Sequence, residues 1–98
     1  NKIMNEKVKT AKQMERHFKG IANHRRIDIL IFISKNNGVN LEDIADRLDC
    51  NIKTISEHTR RLVQAGLVNK QNQGRAVSHT LSPYGKTLCN FITTFSHS

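Results

Sequence analysis

Hydrophobic side chains recur in three- and four-residue steps through most of this chain, and the stretch that departs from that rhythm is short. Met4, Val8, Ala11, Met14 and Phe18 share one face of a helix predicted over residues 3 to 19, with Lys, Arg and Glu opposite. Gly20 tolerates the left-handed conformation and is expected to end it. The segment NHRRIDILIFISKNNG is apolar almost all round from Ile27 to Ile33. Its alternating isoleucines fit a strand as well, but no hairpin partner lies nearby and Asn36, Asn37 and Gly38 form a helix-ending cluster, so a helix is expected. Asn40, followed three residues later by Asp43, opens a third helix whose inner face is Leu41, Ile44, Ala45 and Leu48. After Asp49 and Cys50, Asn51 caps a longer helix, IKTISEHTRRLVQAG. Its buried stripe is Ile55, Thr59, Leu62 and Val63, and Gly66 ends it.

The period then changes. Leu67 to Gln71 and Ala76 to Leu81 read as two extended segments joined by Asn72, Gln73, Gly74 and Arg75, with Val77 and Leu81 at strand spacing. Ser82 and Pro83 open a last helix with Leu88, Phe91, Ile92 and Phe95 on its apolar face. The predicted order is α-α-α-α-β-β-α: mainly helical with a small hairpin, in a chain of 98 residues, the size of one domain.

Charge adds where a partner would sit. Sixteen Lys and Arg against eight Asp and Glu leave +8, which suits a polyanion. The excess is clustered: residues 1–35 carry +6, residues 51–75 carry +4, residues 36–50 carry −3 and residues 76–98 add +1. Two helices joined by a very short turn, the second basic and followed by a hairpin, make a winged helix-turn-helix, the arrangement that places a recognition helix in a DNA major groove. Lys53, Ser56, Glu57 and Arg60 fall opposite the apolar stripe of that helix and are its candidate base readers. Lys and Arg donate to guanine O6 and N7, Glu57 accepts from cytosine N4, and Ser56 serves several bases. Asn51 and Thr54, at the positively polarised helix start, suit a phosphate oxygen, and Arg61 and Lys70 add phosphate contacts. The competing reading is a solvated face on which Lys53, Glu57 and Arg61 form spaced ion pairs.

Residues 38–83 resemble the ArsR family of repressors in LEDIADRL, NIKTISEHTRRLVQAGLV and QGRAVSHTLSP, and HRRIDIL resembles the start of that family's second helix. ArsR is preferred here over its relatives, such as the MarR family. The resemblance implies a homodimeric transcriptional repressor that binds a palindromic operator in double-stranded DNA, with the first and last helices forming the dimer interface. It also gives Arg75 the place of the wing arginine that reaches a minor groove or its phosphates. The alternatives are a winged-helix protein-interaction module and a non-specific nucleic-acid-binding module.

Members of that family that sense metal use a cysteine pair before the recognition helix or His and Asp on the last helix. Here LEDIADRLDCN holds Cys50 alone and the last helix offers Cys89, with His97 near its end. His17 and His24, joined by Cys50, Cys89 or His97 across a dimer, are the remaining arrangement; buried or solvated side chains are the plainer reading, so no metal and no cofactor is expected. His58 and His79 are placed on the surfaces of the recognition helix and the wing. No phosphate-binding glycine loop or nucleophile elbow points to an enzyme. Two cysteines without a framework, no signal peptide and no apolar run longer than Ile29 to Ile33 are read as a cytoplasmic protein off the membrane. No effector is selected by these residues.

Overall fold

A computed structural model describes residues 8–98. Its elements are α1 (Ala11–Ile21), α2 (His24–Lys35), α3 (Leu41–Leu48), α4 (Ile52–Gln64), β1 (Val68–Gln73), β2 (Ala76–Leu81) and α5 (Pro83–Phe95), in the predicted order. Each helix starts on a side-chain cap that satisfies an orphan backbone donor. Thr10 and Gln13 form a reciprocal capping box on α1. Asn23 accepts from Arg25 N and Arg26 N, Asn40 from Asp43 N, and Asn51 from Lys53 N. Ser82 Oγ accepts from Gly85 N at 3.0 Å and donates to Gly66 O at 2.6 Å, so the α5 cap also anchors the end of α4.

The second apolar run is a helix because three-dimensional packing uses most of its circumference, leaving Asp28 exposed. Ile29, Leu30 and Ile33 are fully buried with Ile44, Ile55, Leu62 and Leu67, and Ile27, Ile31 and Phe32 pack around them. The hairpin is antiparallel with Val68 opposite Leu81 and Gln73 opposite Ala76. An isolated bridge between Val39 and His79, with Gly38 N bonded to His79 O at 2.9 Å, ties its root to the loop before α3.

Three local expectations change. Helix α1 starts at Ala11, because Thr10 is extended (φ −74°, ψ 163°) and caps it, so Val8 precedes the helix and is exposed; Met4 lies outside the described residues. Gly20 does not end α1, which runs on to Ile21. Its missing side chain serves a close approach instead: a Cβ on Gly20 would collide with Ala65 Cβ at the end of α4. The strands are longer at the tip than the turn residues suggested, since Asn72 and Gln73 pair with Val77 and Ala76 and leave Gly74 (φ 64°) and Arg75 as a two-residue turn.

Candidate nucleic-acid interface

Helix α4 buries Ile55, Thr59 and Leu62, and this fixes what faces out. Lys53, Thr54, Ser56, Glu57, Arg60 and Arg61 are all exposed, as are Asn51 before the helix and Lys70 and Arg75 on the hairpin. Lys53, Glu57, Arg60 and Gln64, spaced by three and four residues, form the outermost row. Ser56 and Arg60 turn toward β1 and share with Lys70, Val63, Gln64 and His79 a cleft of about 190 Å³. Thr59 also lines it, and its buried hydroxyl has no hydrogen-bond partner among the described residues. Arg75 stands apart at the hairpin turn, beside a second cleft formed with Asn40, Leu41 and Glu42.

Glu57 organises this face. Its carboxylate accepts from Arg60 Nε and Nη2 at 3.3 and 2.6 Å and from Arg61 Nε at 3.2 Å. The Arg60 hydrogen bond, helped by the charges of both arginines, holds its pKa below the ordinary carboxylate value. The expected Glu57–Arg61 pair therefore forms, but Arg60 rather than Lys53 is the second partner among the described residues. Glu57 spreads two guanidinium groups along the helix and is itself a less available acceptor than sequence suggested. Asn51 is likewise engaged, its Oδ1 capping Lys53 N at 2.7 Å.

Both histidines assigned to the surface are placed differently. His79 is 1% exposed, with Nδ1 donating to Val39 O at 2.9 Å. It sits between Val77 and Leu81 on the inward side of β2, so strand alternation was the available signal. His58 is half-buried on the flank of α4 toward α2, where Arg26 Nη1 donates to its Nδ1 at 3.1 Å. Burial first, and then the charges of Arg26, Arg25 and Arg61, keep the His58 pKa below the ordinary imidazole value.

Sequence reasoning also missed what α1 brings to α4. Arg16 Nη1 donates to Gln64 O at 2.7 Å and Arg26 Nε to Gly20 O at 2.6 Å, so basic side chains gather where two helices end. The signal in the sequence was the clustered charge of residues 1–35, without a position for it. His17 is buried, its Nδ1 2.6 Å from Ala65 O and its ring 4.9 Å from Tyr84. Cys50 and Cys89 are free, and no group of three or more His, Cys, Asp or Glu is placed to hold a metal among the described residues. None of the described helices is long and apolar enough to cross a membrane.

A capped basic helix reached through a three-residue turn, packed on a three-helix core and followed by a two-stranded hairpin, defines a winged helix-turn-helix fold. The chain belongs to the MarR family, whose sequence model matches residues 22–74, from the approach to α2 through the wing turn. The ArsR resemblance drawn from sequence is thereby placed in the related MarR group, while ArsR-like proteins remain among the structural neighbours. The chain is 33% identical over 64 residues to the transcriptional activator HlyU of Vibrio cholerae serotype O1, a match covering 65% of this chain and 58% of that protein. The solved structure of HlyU from Vibrio cholerae superposes with a TM-score of 0.81 at 25% identity, covering 94% of this chain and all of that one (100%). A homodimeric winged helix-turn-helix DNA-binding domain from Mycobacterium bovis, described as a possible ArsR-family regulator, has a TM-score of 0.79 at 21% identity over 94% of this chain and 91% of that one, which is a likeness of fold.

Proposed function

We propose that this protein is a sequence-specific transcriptional regulator that binds a palindromic operator in double-stranded DNA as a homodimer. The observation that carries the reading is the division of α4. Ile55, Thr59 and Leu62 lock it into the core, while Lys53, Ser56, Glu57 and Arg60 stay exposed on the opposite side beside a wing carrying Lys70 and Arg75. In this reading Lys53 and Arg60 read base edges, Glu57 and Ser56 support them, and Asn51, Thr54, Arg61, Lys70 and Arg75 meet phosphates.

The dimer reading rests on α1 and α5. Met14, Phe18, Phe91 and Phe95 remain exposed, the last two at 58% and 65%, and their rings stack with centroids 5.5 Å apart. A second copy covering this face by two-fold symmetry would set two recognition helices about one DNA turn, roughly 34 Å, apart. Such a dimer represses wherever its operator overlaps the polymerase site, and a reporter carrying the operator at that position tests the sign.

The functional test is selection of a preferred duplex from a random pool, then binding of Lys53→Ala and Arg60→Ala to that duplex and to a scrambled one. A lost base contact costs about 1–3 kcal/mol on the preferred site and much less on scrambled DNA. Equal losses on both duplexes would remove Lys53 and Arg60 from base reading. Tight binding without a preferred sequence would make the protein a DNA-coating module, and no binding would leave a protein-interaction module.

A further inference from the structure

The exposed row of α4 is bordered on both sides by basic clefts, and on the side away from the wing only Arg61 has so far been given work. The other side is a notch of about 320 Å³ lined by Arg16, Lys19, Gly20, Arg26, Arg61, Gln64 and Ala65. Gln64, the last residue of α4, lines both clefts, so the two flank the same end of the helix from opposite sides. Gly20 makes the notch possible, because its bare backbone lets α1 approach Ala65 and brings four cations from three helices together.

We propose that this notch is a second phosphate-binding rim, holding the DNA strand across the major groove from the strand that the wing meets. The inference deepens the DNA-binding reading and rests on it. A major groove about 12 Å wide has a phosphate backbone on either side, so a helix lying in it presents one flank to each strand. On this flank, two guanidinium groups are already oriented by protein carbonyls: Arg16 by Gln64 O at 2.7 Å and Arg26 by Gly20 O at 2.6 Å. Each keeps further N–H donors for an incoming oxygen.

Helix-end capping explains these two cations but not the others. Lys19 and Arg61 make no bond to the helix-end carbonyls among the described residues; their partners are the exposed carboxylates of Glu15, at 3.0 Å, and Glu57, at 3.2 Å. Such exposed pairs are easily exchanged for phosphate. No carboxylate lines the notch among the described residues. Burial first, and then Arg26, Arg25 and Arg61 against an opposing Glu57, lower the His58 pKa, in keeping with the positive charge gathered on this flank.

The test uses Lys19→Gln, Arg61→Gln and their double variant, with Lys12→Gln as a control. Lys12 has the same charge and pairs with the same Glu15, but lies outside the notch. Thermal melts check that each variant is folded, and Arg16→Lys, which keeps the charge, is a further variant. Binding to the selected duplex and to a scrambled duplex is measured over a salt series. Each lost phosphate contact is expected to lower the slope of log K against log salt by about 0.9 and to weaken both duplexes about eightfold at 0.1 M salt. A dimer loses two contacts per substitution. Phosphate ethylation should lose its interference on the strand opposite the wing, and only there. If the double variant keeps the wild-type slope while Arg75→Ala lowers it, the notch proposal falls and the DNA-binding reading stands. An equal fall for Lys12→Gln would also overturn the proposal, by showing a net-charge effect. Wild-type protein that binds neither duplex overturns both.

Discussion

Replacing Gly20 by alanine should destabilise the protein although it places the best helix former inside a helix. On propensity alone the change is worth about 0.8–1 kcal/mol in favour of the fold. Against it stands the collision of the new methyl with Ala65 Cβ, while the next atoms, Ala65 Cα and Arg61 O, lie at 3.7 and 3.8 Å, ordinary contact distances. One methyl is therefore the whole obstacle. Forcing it apart moves α1 off α4, and overpacking of this kind costs about 1–3 kcal/mol, sometimes more. The same displacement would disturb the bonds of His17 to Ala65 O and of Arg16 to Gln64 O. A net loss of up to about 2 kcal/mol is expected for Gly20→Ala, from the two opposing magnitudes. Removing the obstructing methyl reverses the sign of the test: Gly20→Ala with Ala65→Gly exchanges the residues across the contact and should return close to wild-type stability. Urea unfolding of the four proteins at one protomer concentration measures the coupling, expected at about 2 kcal/mol in the favourable direction. A stabilising single variant, or a double variant no better than the sum of the singles, would refute the packing argument.

Other outcomes follow from single residues. His58 has a lowered pKa in the folded protein, so the unfolded chain takes up its proton first as pH falls. Stability carried by the neutral ring is present above the ordinary imidazole pKa of about 6.5 and is lost on acidification from there toward the folded value. His58→Gln, which keeps an acceptor for Arg26, should flatten unfolding free energy against pH in that window; an unchanged profile would remove His58 as its source. Phe91→Glu should yield folded monomers in sedimentation, because each buried Phe is worth about 1.5–3 kcal/mol and symmetry counts it twice; a dimer of wild-type strength would displace the interface from α5. Arg75→Ala should weaken selected and scrambled duplexes alike, and a loss confined to the selected site would make Arg75 a base reader.

Local chemistry made the architecture readable in advance. Asn40, Asn51 and Ser82 announce helix starts because their side chains bond the first free amides, and all three do so. The burial of Ile55, Thr59 and Leu62 follows from helical spacing alone. What stayed hidden depends on atoms distant in the chain. Gly20 looks like a terminator until Ala65 is seen beside it, and Arg16 and Arg26 look like solvated charge until the carbonyls of Gln64 and Gly20 come within reach. His79 escaped for a different reason, since a polar side chain on an alternating strand reads as outward until a carbonyl such as Val39 O waits inside for it. The exposed face of α4 was correctly located, but Glu57 bridging Arg60 and Arg61 is a choice of rotamers that spacing does not determine.

The stitching of the wing root has a consequence for the nucleic acid rather than for the protein. His79 joins Val39 through its backbone and its ring, and Val39 directly precedes Asn40, the residue that caps α3. The root of the hairpin is thus fixed to the helix pair, and in the proposed reading this sets the span between Lys53 and Arg75 in advance. A duplex whose groove width does not match that span must bend or twist to fit, and the cost of doing so depends on the stacking of base pairs that no side chain touches. Sequence preference would then extend beyond the contacted bases, into the mechanics of the DNA between them.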